Sequence, residues 1–143
     1  MIGVLEHLQN PREVLASLVA NGRVRYVFLS VPLFSPCVYL EMAFPGVFHR
    51  QLSGGHTHLF TDESLDWMCR AYQLERISEW WFGTDVVDLY RTVRVSIETQ
   101  GASERTRAHW TNQMLPALDQ MQRALDEQHA ASEVHVLLRK TPA

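Results

Sequence analysis

The sequence predicts an α/β fold, and within it the second half of a larger α/β domain. Two observations carry this. The chain opens on Met1-Ile2-Gly3-Val4-Leu5-Glu6-His7-Leu8, which reads as the end of a strand buried on both faces that delivers a Glu-His pair to a helix start. A helix, a glycine break and a second apolar run, Tyr26-Val27-Phe28-Leu29-Ser30-Val31, follow in the order of a βαβ unit with a right-handed crossover. A doubly buried strand needs neighbours on each side, so the chain is expected to be a fragment whose first strand pairs with something upstream.

The elements follow in order. Asn10 is placed to cap the first helix, with Pro11 at its first position and Glu13 at the third. Val14, Leu15, Leu18 and Val19 give that helix one apolar face up to about Ala20, and Gly22 is free to end it in the left-handed conformation. Tyr26–Val31 lacks polar alternation, as a central strand covered on both faces does, and Pro32 stops it. Residues 32–60, punctuated by Pro32, Pro36 and Pro45 and carrying Phe34, Tyr39, Phe44 and Phe48, read as a lid or substrate loop. Thr61 caps a helix whose buried face is Leu65, Met68, Cys69 and Tyr72. Leu74 to Phe82 is a strand broken by Gly83, and residues 84–99 lean to helix. A helical insertion over 101–131 carries a seam of Trp110, Met114, Leu118, Met121 and Leu125, with Pro116 kinking it or starting a second helix. Glu133–Lys140 is the last strand.

Composition narrows the function. The 143 residues are 46% hydrophobic and 20% charged, as in a soluble globular domain. A net charge of −3 leaves no general basic surface, which argues against nucleic-acid binding by charge. No apolar run reaches the roughly 20 residues of a membrane span, and no signal peptide is expected from the first residues. Cys37 and Cys69, alone and far apart, read as small buried hydrophobes in a reducing cytoplasm.

Four local motifs share a resemblance. Val4-Leu5-Glu6-His7-Leu8-Gln9-Asn10-Pro11, Phe28-Leu29-Ser30-Val31-Pro32, His58-Leu59-Phe60-Thr61-Asp62-Glu63-Ser64-Leu65, and the block from Trp81 to Arg91 occur in the order found in class I S-adenosylmethionine-dependent methyltransferases, and the chain resembles the C-terminal half of that family. The resemblance implies a Rossmann-like sheet with three parallel strands and an antiparallel last strand, Val134–Leu138, between its fifth and sixth strands. It also implies that the complete protein binds S-adenosylmethionine, with Ile2 and Gly3 as the cofactor-contacting positions present here. The family's glycine-rich loop and ribose-binding acid are absent. Ser53-Gly54-Gly55 is the only glycine pair, and no strand–GxGxxG–helix unit surrounds it. This chain alone is therefore expected to bind the cofactor weakly or not at all.

The chemistry expected is O-methylation of a small-molecule, sugar-linked or lipid-linked acceptor. A hydroxyl acceptor needs a base, and His7 at a strand's carboxyl end is assigned that role with Glu6 orienting it. His49, Arg50, His56, His58, Asp85 and Arg91 are the candidate acceptor-binding residues, Arg being suited to phosphate or carboxylate. An Asp88–Arg91 ion pair at i,i+3 is the plainer alternative for the 85–91 block. Some members of the family hold a divalent cation on a Glu-x-x-Glu-His pattern with a later imidazole. Here Gly3 replaces the first carboxylate, and no metal is assigned. Two other classes compete. One is an interaction module that forms a homodimer through its first strand or the 103–129 seam. The other is a metal-dependent hydrolase using Glu6, His7, His56 and His58, a donor set better suited to zinc or iron than to magnesium.

Overall fold

A computed structural model describes residues 1–47, 49–52 and 55–141; Phe48 of the predicted lid and Ser53-Gly54 of the glycine pair lie outside the described residues. The chain folds as two compact units: Met1–Phe34, Gly55–Trp81 and Glu133–Ala143 form the first, and Ser35–Gly54 and Phe82–Ser132 form the second.

The first unit is built on a three-stranded antiparallel sheet. Its strands are β1 (Tyr26–Pro32), β2 (Leu74–Phe82) and β3 (Glu133–Lys140), in the order β1-β3-β2. β3 runs antiparallel to β1, with Val27 opposite Leu138, Leu29 opposite Val136 and Val31 opposite Val134. All six of these side chains are buried, so the sheet has one continuous apolar face. Helices α1 (Pro11–Ala20) and α3 (Asp62–Ala71) complete this unit. α3 starts on a reciprocal capping box. Thr61 Oγ1 accepts from the Ser64 backbone N–H, and Ser64 Oγ accepts from the Thr61 backbone N–H. It buries Leu65, Met68 and Cys69, one helical face.

This sheet corrects the expected fold class. Three parallel strands with an antiparallel last strand were expected; the sheet found is antiparallel, although β3 does lie between the other two. Residues 1–8 form no strand. Ile2 makes a single parallel bridge to Ser30, Gly3 turns to φ 60°, and Leu5–His7 winds into a 3-10 turn. A positive φ interrupts extended backbone, so pairing cannot propagate past Ile2. Ile2 is 67% exposed, against the double burial expected of it. β1 is buried on both faces from Leu29 to Pro32, as expected, and on one face only at its start, where Tyr26 and Phe28 are exposed.

Smaller details also differ. Asn10 does not cap α1; its side chain donates to Glu13 Oε1 at 2.8 Å instead. Gly22 does not take the left-handed conformation. Asn21 is extended, and its side-chain oxygen accepts from the Arg23 backbone.

The second unit is helical. α2 (Pro36–Ala43) lies inside the stretch read as a loop. Its N-cap Ser35 accepts from the Cys37 backbone, and Pro36 sits at the first helical position. Three prolines and the aromatics masked this one short helix. α4 (Asp85–Thr99) is helical as expected and buries Asp85, Val86, Asp88 and Thr92. α5 (Glu104–Met114) and α6 (Leu118–Glu127) are joined by a 3-10 turn, Leu115–Ala117, that contains Pro116. The seam residues on α5 and α6 are not buried, and Met121 and the neighbouring Leu115 are exposed. Among the described residues no helix is long and apolar enough to cross a membrane.

Candidate functional site

In the first unit the bridge between Ile2 and Ser30 is followed by the turn that carries Glu6 and His7. A second segment is strapped across this turn. The Glu6 carbonyl accepts from the backbone N–H of Thr57 (2.8 Å) and of His58 (3.2 Å) and from Thr57 Oγ1 (2.7 Å). Thr57 Oγ1 also lies 3.1 Å from the Leu8 carbonyl. These bonds hold residues 55–58 against residues 5–8, and they bring His56 beside His7 with ring centroids 5.0 Å apart and planes at 47°.

The His7 ring is oriented by one bond. Its Nδ1 lies 3.0 Å from the Gly55 carbonyl oxygen. A carbonyl only accepts, so Nδ1 carries the proton and Nε2 is the ring's other face. Nε2 lies 3.8 Å from Glu6 Oε1, and the His7 side chain is 42% exposed. Glu6 is only 3% exposed. Its Oε2 is buried with no hydrogen-bond partner among the described residues. Two glycines with positive φ edge the pair. A Cβ on Gly3 would stand 3.6 Å from Glu6 Oε1, and one on Gly55 would stand 3.9 Å from His7 Nδ1. The ligand-type atoms of Glu6, His7 and His56 all lie within 4.8 Å of one another.

His58 places its Nδ1 2.8 Å from Thr57 Oγ1, and residues 56–59 are irregular.

The remaining predicted residues, His49, Arg50, Asp85 and Arg91, belong to the second unit. Asp85 is 2% exposed and tied into the fold. Its Oδ1 accepts from Ser35 Oγ (2.6 Å) and the Cys37 backbone (3.2 Å), and its Oδ2 accepts from the Ser132 backbone (2.8 Å). Gly83 makes this possible: a Cβ there would stand 2.5 Å from Asp85 Oδ2 and 2.8 Å from the Ser132 nitrogen. Asp88 gathers both arginines, with Arg50 Nη1 at 3.0 Å and Arg91 at 3.2 Å. The i,i+3 pair is therefore present, and Arg50 joins it from the neighbouring segment together with Thr84 Oγ1. His49 is half-buried nearby in sequence.

One residue went unnoticed in the sequence. Glu41 accepts from the backbone N–H groups of Arg50 (2.7 Å), Gln51 (2.8 Å) and Leu52 (2.8 Å). Burial opposes its charge, but these three donors hold its carboxyl below the ordinary value. Beside it the Cys37 thiol lies 3.3 Å from Asp88 Oδ2 and 3.6 Å from Glu41 Oε1. Burial first, and then the Asp88 carboxylate, push that thiol well above its usual range. Nothing in a lone Glu within an apolar helix signals such a clamp, because its donors are backbone groups from nine to eleven residues further on.

The same unit holds a cavity of about 600 Å³ lined by Pro36, Tyr39, Leu40, Val86, Leu89 and Met121 among others, nearly all apolar.

Compared with models of known protein families and with curated proteins, the chain matches none.

Proposed function

We propose that the chain supplies the acceptor-facing groups of an S-adenosylmethionine-dependent methyltransferase acting on a hydroxyl of a small-molecule, sugar-linked or lipid-linked acceptor. The observation that carries the reading is the His7–Gly55 hydrogen bond. It puts a proton on Nδ1 and leaves Nε2 turned toward a half-exposed surface next to a buried carboxylate. That is the arrangement a general base for a hydroxyl requires, and the four motifs of the resemblance surround it in sequence.

S-adenosylmethionine would supply a methyl on an already activated sulfonium, so alignment and proton removal are what a protein adds. Ile2 and Gly3 would be this chain's contacts to that donor. Ile2 is exposed and apolar, and the Gly3 N–H is directed to the Ser30 carbonyl at 3.4 Å. His7 Nε2 would take the acceptor proton, and Glu6 would stabilise the resulting imidazolium. His56 and His58 would line the acceptor side. The two separate buried cysteines fit a cytoplasmic setting.

Calorimetric titration of S-adenosylmethionine into the chain and into the complete gene product tests this. The reading expects affinity in the complete product; no affinity there overturns it.

A homodimer is the second reading, favoured by the exposed Leu115 and Met121 on the α5–α6 segment. Sedimentation as a clean monomer removes it.

A further inference from the structure

We propose that the outward face of the β1-β3-β2 sheet, together with a basic cleft at its end, binds single-stranded nucleic acid. The proposal rests on the sheet of the first unit and not on the methyl-transfer reading, and it uses none of the groups around His7.

Strand register places the rings. Tyr26 stands opposite Arg139, Phe28 opposite Leu137 and Ser30 opposite His135, and alternate residues of a strand share a face. The other face carries Val27, Leu29, Val136 and Leu138 and is buried. On the outward face Phe28 and His135 have ring centroids 5.3 Å apart with planes at 62°, and Trp80 of β2 meets the same imidazole at 5.3 Å and 78°. A row of three rings therefore crosses all three strands. Trp80 is 62% exposed and Tyr26 56%, so both leave ring surface open to solvent. Exposed rings side by side on a sheet are a stacking platform for unpaired bases, since every base has a π-face.

Charge selects the ligand. The net charge of −3 argues against an overall attraction for polyanions, but the end of the sheet is locally basic. A cleft of about 410 Å³ lies where β1 starts and β3 ends, lined by Arg25, Tyr26, Arg139 and Lys140 among others, and among the described residues no carboxylate lines it. Arg139 is paired with Glu75 at 2.7 Å. Among the described residues Arg25 and Lys140 pair with no carboxylate. Tyr26 belongs both to the cleft and to the ring-bearing face, so a strand whose phosphates enter the cleft meets the rings next. Phosphate contacts supply affinity and stacked bases hold the strand on the sheet. A duplex keeps its bases stacked inside and offers this face only its backbone. Acyl chains match it poorly, because His135 between two rings and the Arg139–Glu75 pair interrupt the apolar area with hydrogen-bonding groups.

Fluorescence anisotropy of the chain with a labelled oligouridylate of about 12 nucleotides, at salt from about 50 to 200 mM, tests the proposal. Trp80→Ala is expected to weaken binding by between about fivefold and a hundredfold. Arg25→Gln and Lys140→Gln should each lower the salt slope by about 0.7. Arg105→Gln, which removes an exposed cation of α5, should change neither. Circular dichroism checks each fold, and Phe28→Ala takes the place of Trp80→Ala should that variant not fold. No binding at the lowest salt overturns the proposal. So does equal affinity for a duplex of the same length or for inorganic polyphosphate, which would show charge alone at work. A dimer in sedimentation that Trp80→Ala dissociates would assign the face to a second copy of the chain, and capture by phosphatidylserine vesicles without oligonucleotide binding would assign it to a lipid surface; either result also overturns it. Oligonucleotide binding by the chain, with no affinity of the complete gene product for S-adenosylmethionine, would sustain this proposal and remove the methyl-transfer reading. The reverse pattern would do the opposite.

Discussion

His7 and Gly55, 48 positions apart, are joined by a 3.0 Å bond from the imidazole Nδ1 to a backbone carbonyl, and this bond decides which ring nitrogen can do chemistry. The proposed base is Nε2, so removing that atom should matter far more to activity than to folding. His7→Asn keeps an amide N–H near the Nδ1 position and deletes Nε2. In the complete gene product it is expected to lower methyl transfer by about 10²–10⁴-fold, with little change in melting temperature. Equal losses of activity and stability would show that the bond is only architectural.

Gly83 marks the tightest approach in the second unit. A methyl group there would meet the Asp85 carboxylate and the Ser132 side chain at 2.5 Å and the Ser132 backbone at 2.8 Å. Neither Asp85 nor the backbone can yield without giving up the 2.8 Å bond between them. Gly83→Ala should therefore destabilise the fold by about 2–3 kcal/mol, read as a lower urea midpoint with an unchanged slope. Gly22→Ala, where the new methyl group meets open space, should be close to neutral.

Glu41 ties residues 50–52 to α2 through three backbone donors. Glu41→Gln removes the charge and turns an amide group toward one N–H, at a cost of about 2 kcal/mol. The carboxyl is held below its ordinary value in the fold. Its stabilisation is therefore complete above the unfolded value of about 4.3 and fades as pH falls through the lower folded value. Melting curves from pH 6 down to pH 3 should steepen in the parent chain and flatten in Glu41→Gln; parallel curves would refute the assignment.

The Cys37 thiol is buried against Asp88 and Glu41 and held protonated. Unfolding frees it to ionise at about 8.5, so the fold loses stability as pH climbs above that value. Thermal melts at pH 8 and pH 10 should differ less in Cys37→Ala than in the parent. In the folded chain at pH 8, alkylation of Cys37 should run at less than about a hundredth of the rate for a free thiol. Rapid labelling would show that the thiol is accessible.

Short-range physics was legible in the chain. Prolines, caps and apolar spacing marked α1, α3, α4 and all three strands, because each depends on residues within one or two turns. The Glu6-His7 pair and His56 also drew notice, as the few groups in an apolar setting able to move protons or hold ions. The helix α2 escaped because Pro36 and Pro45 bracket it and only eight residues lie between its ends.

The sequence by itself determined α1, α3, α4 and the three strands, and it singled out Glu6, His7 and His56 as candidates for chemistry. Tertiary structure alone decided the antiparallel sheet, the exposure of Tyr26 and Phe28 at the start of β1, the arrival of His56 beside His7, and the engagement of Asp85 and Glu41 by distant backbone groups. The reason is physical. Periodicity and capping are set by near neighbours along the chain, whereas strand direction and the partners of a buried carboxylate depend on groups tens of residues away, which no local pattern encodes.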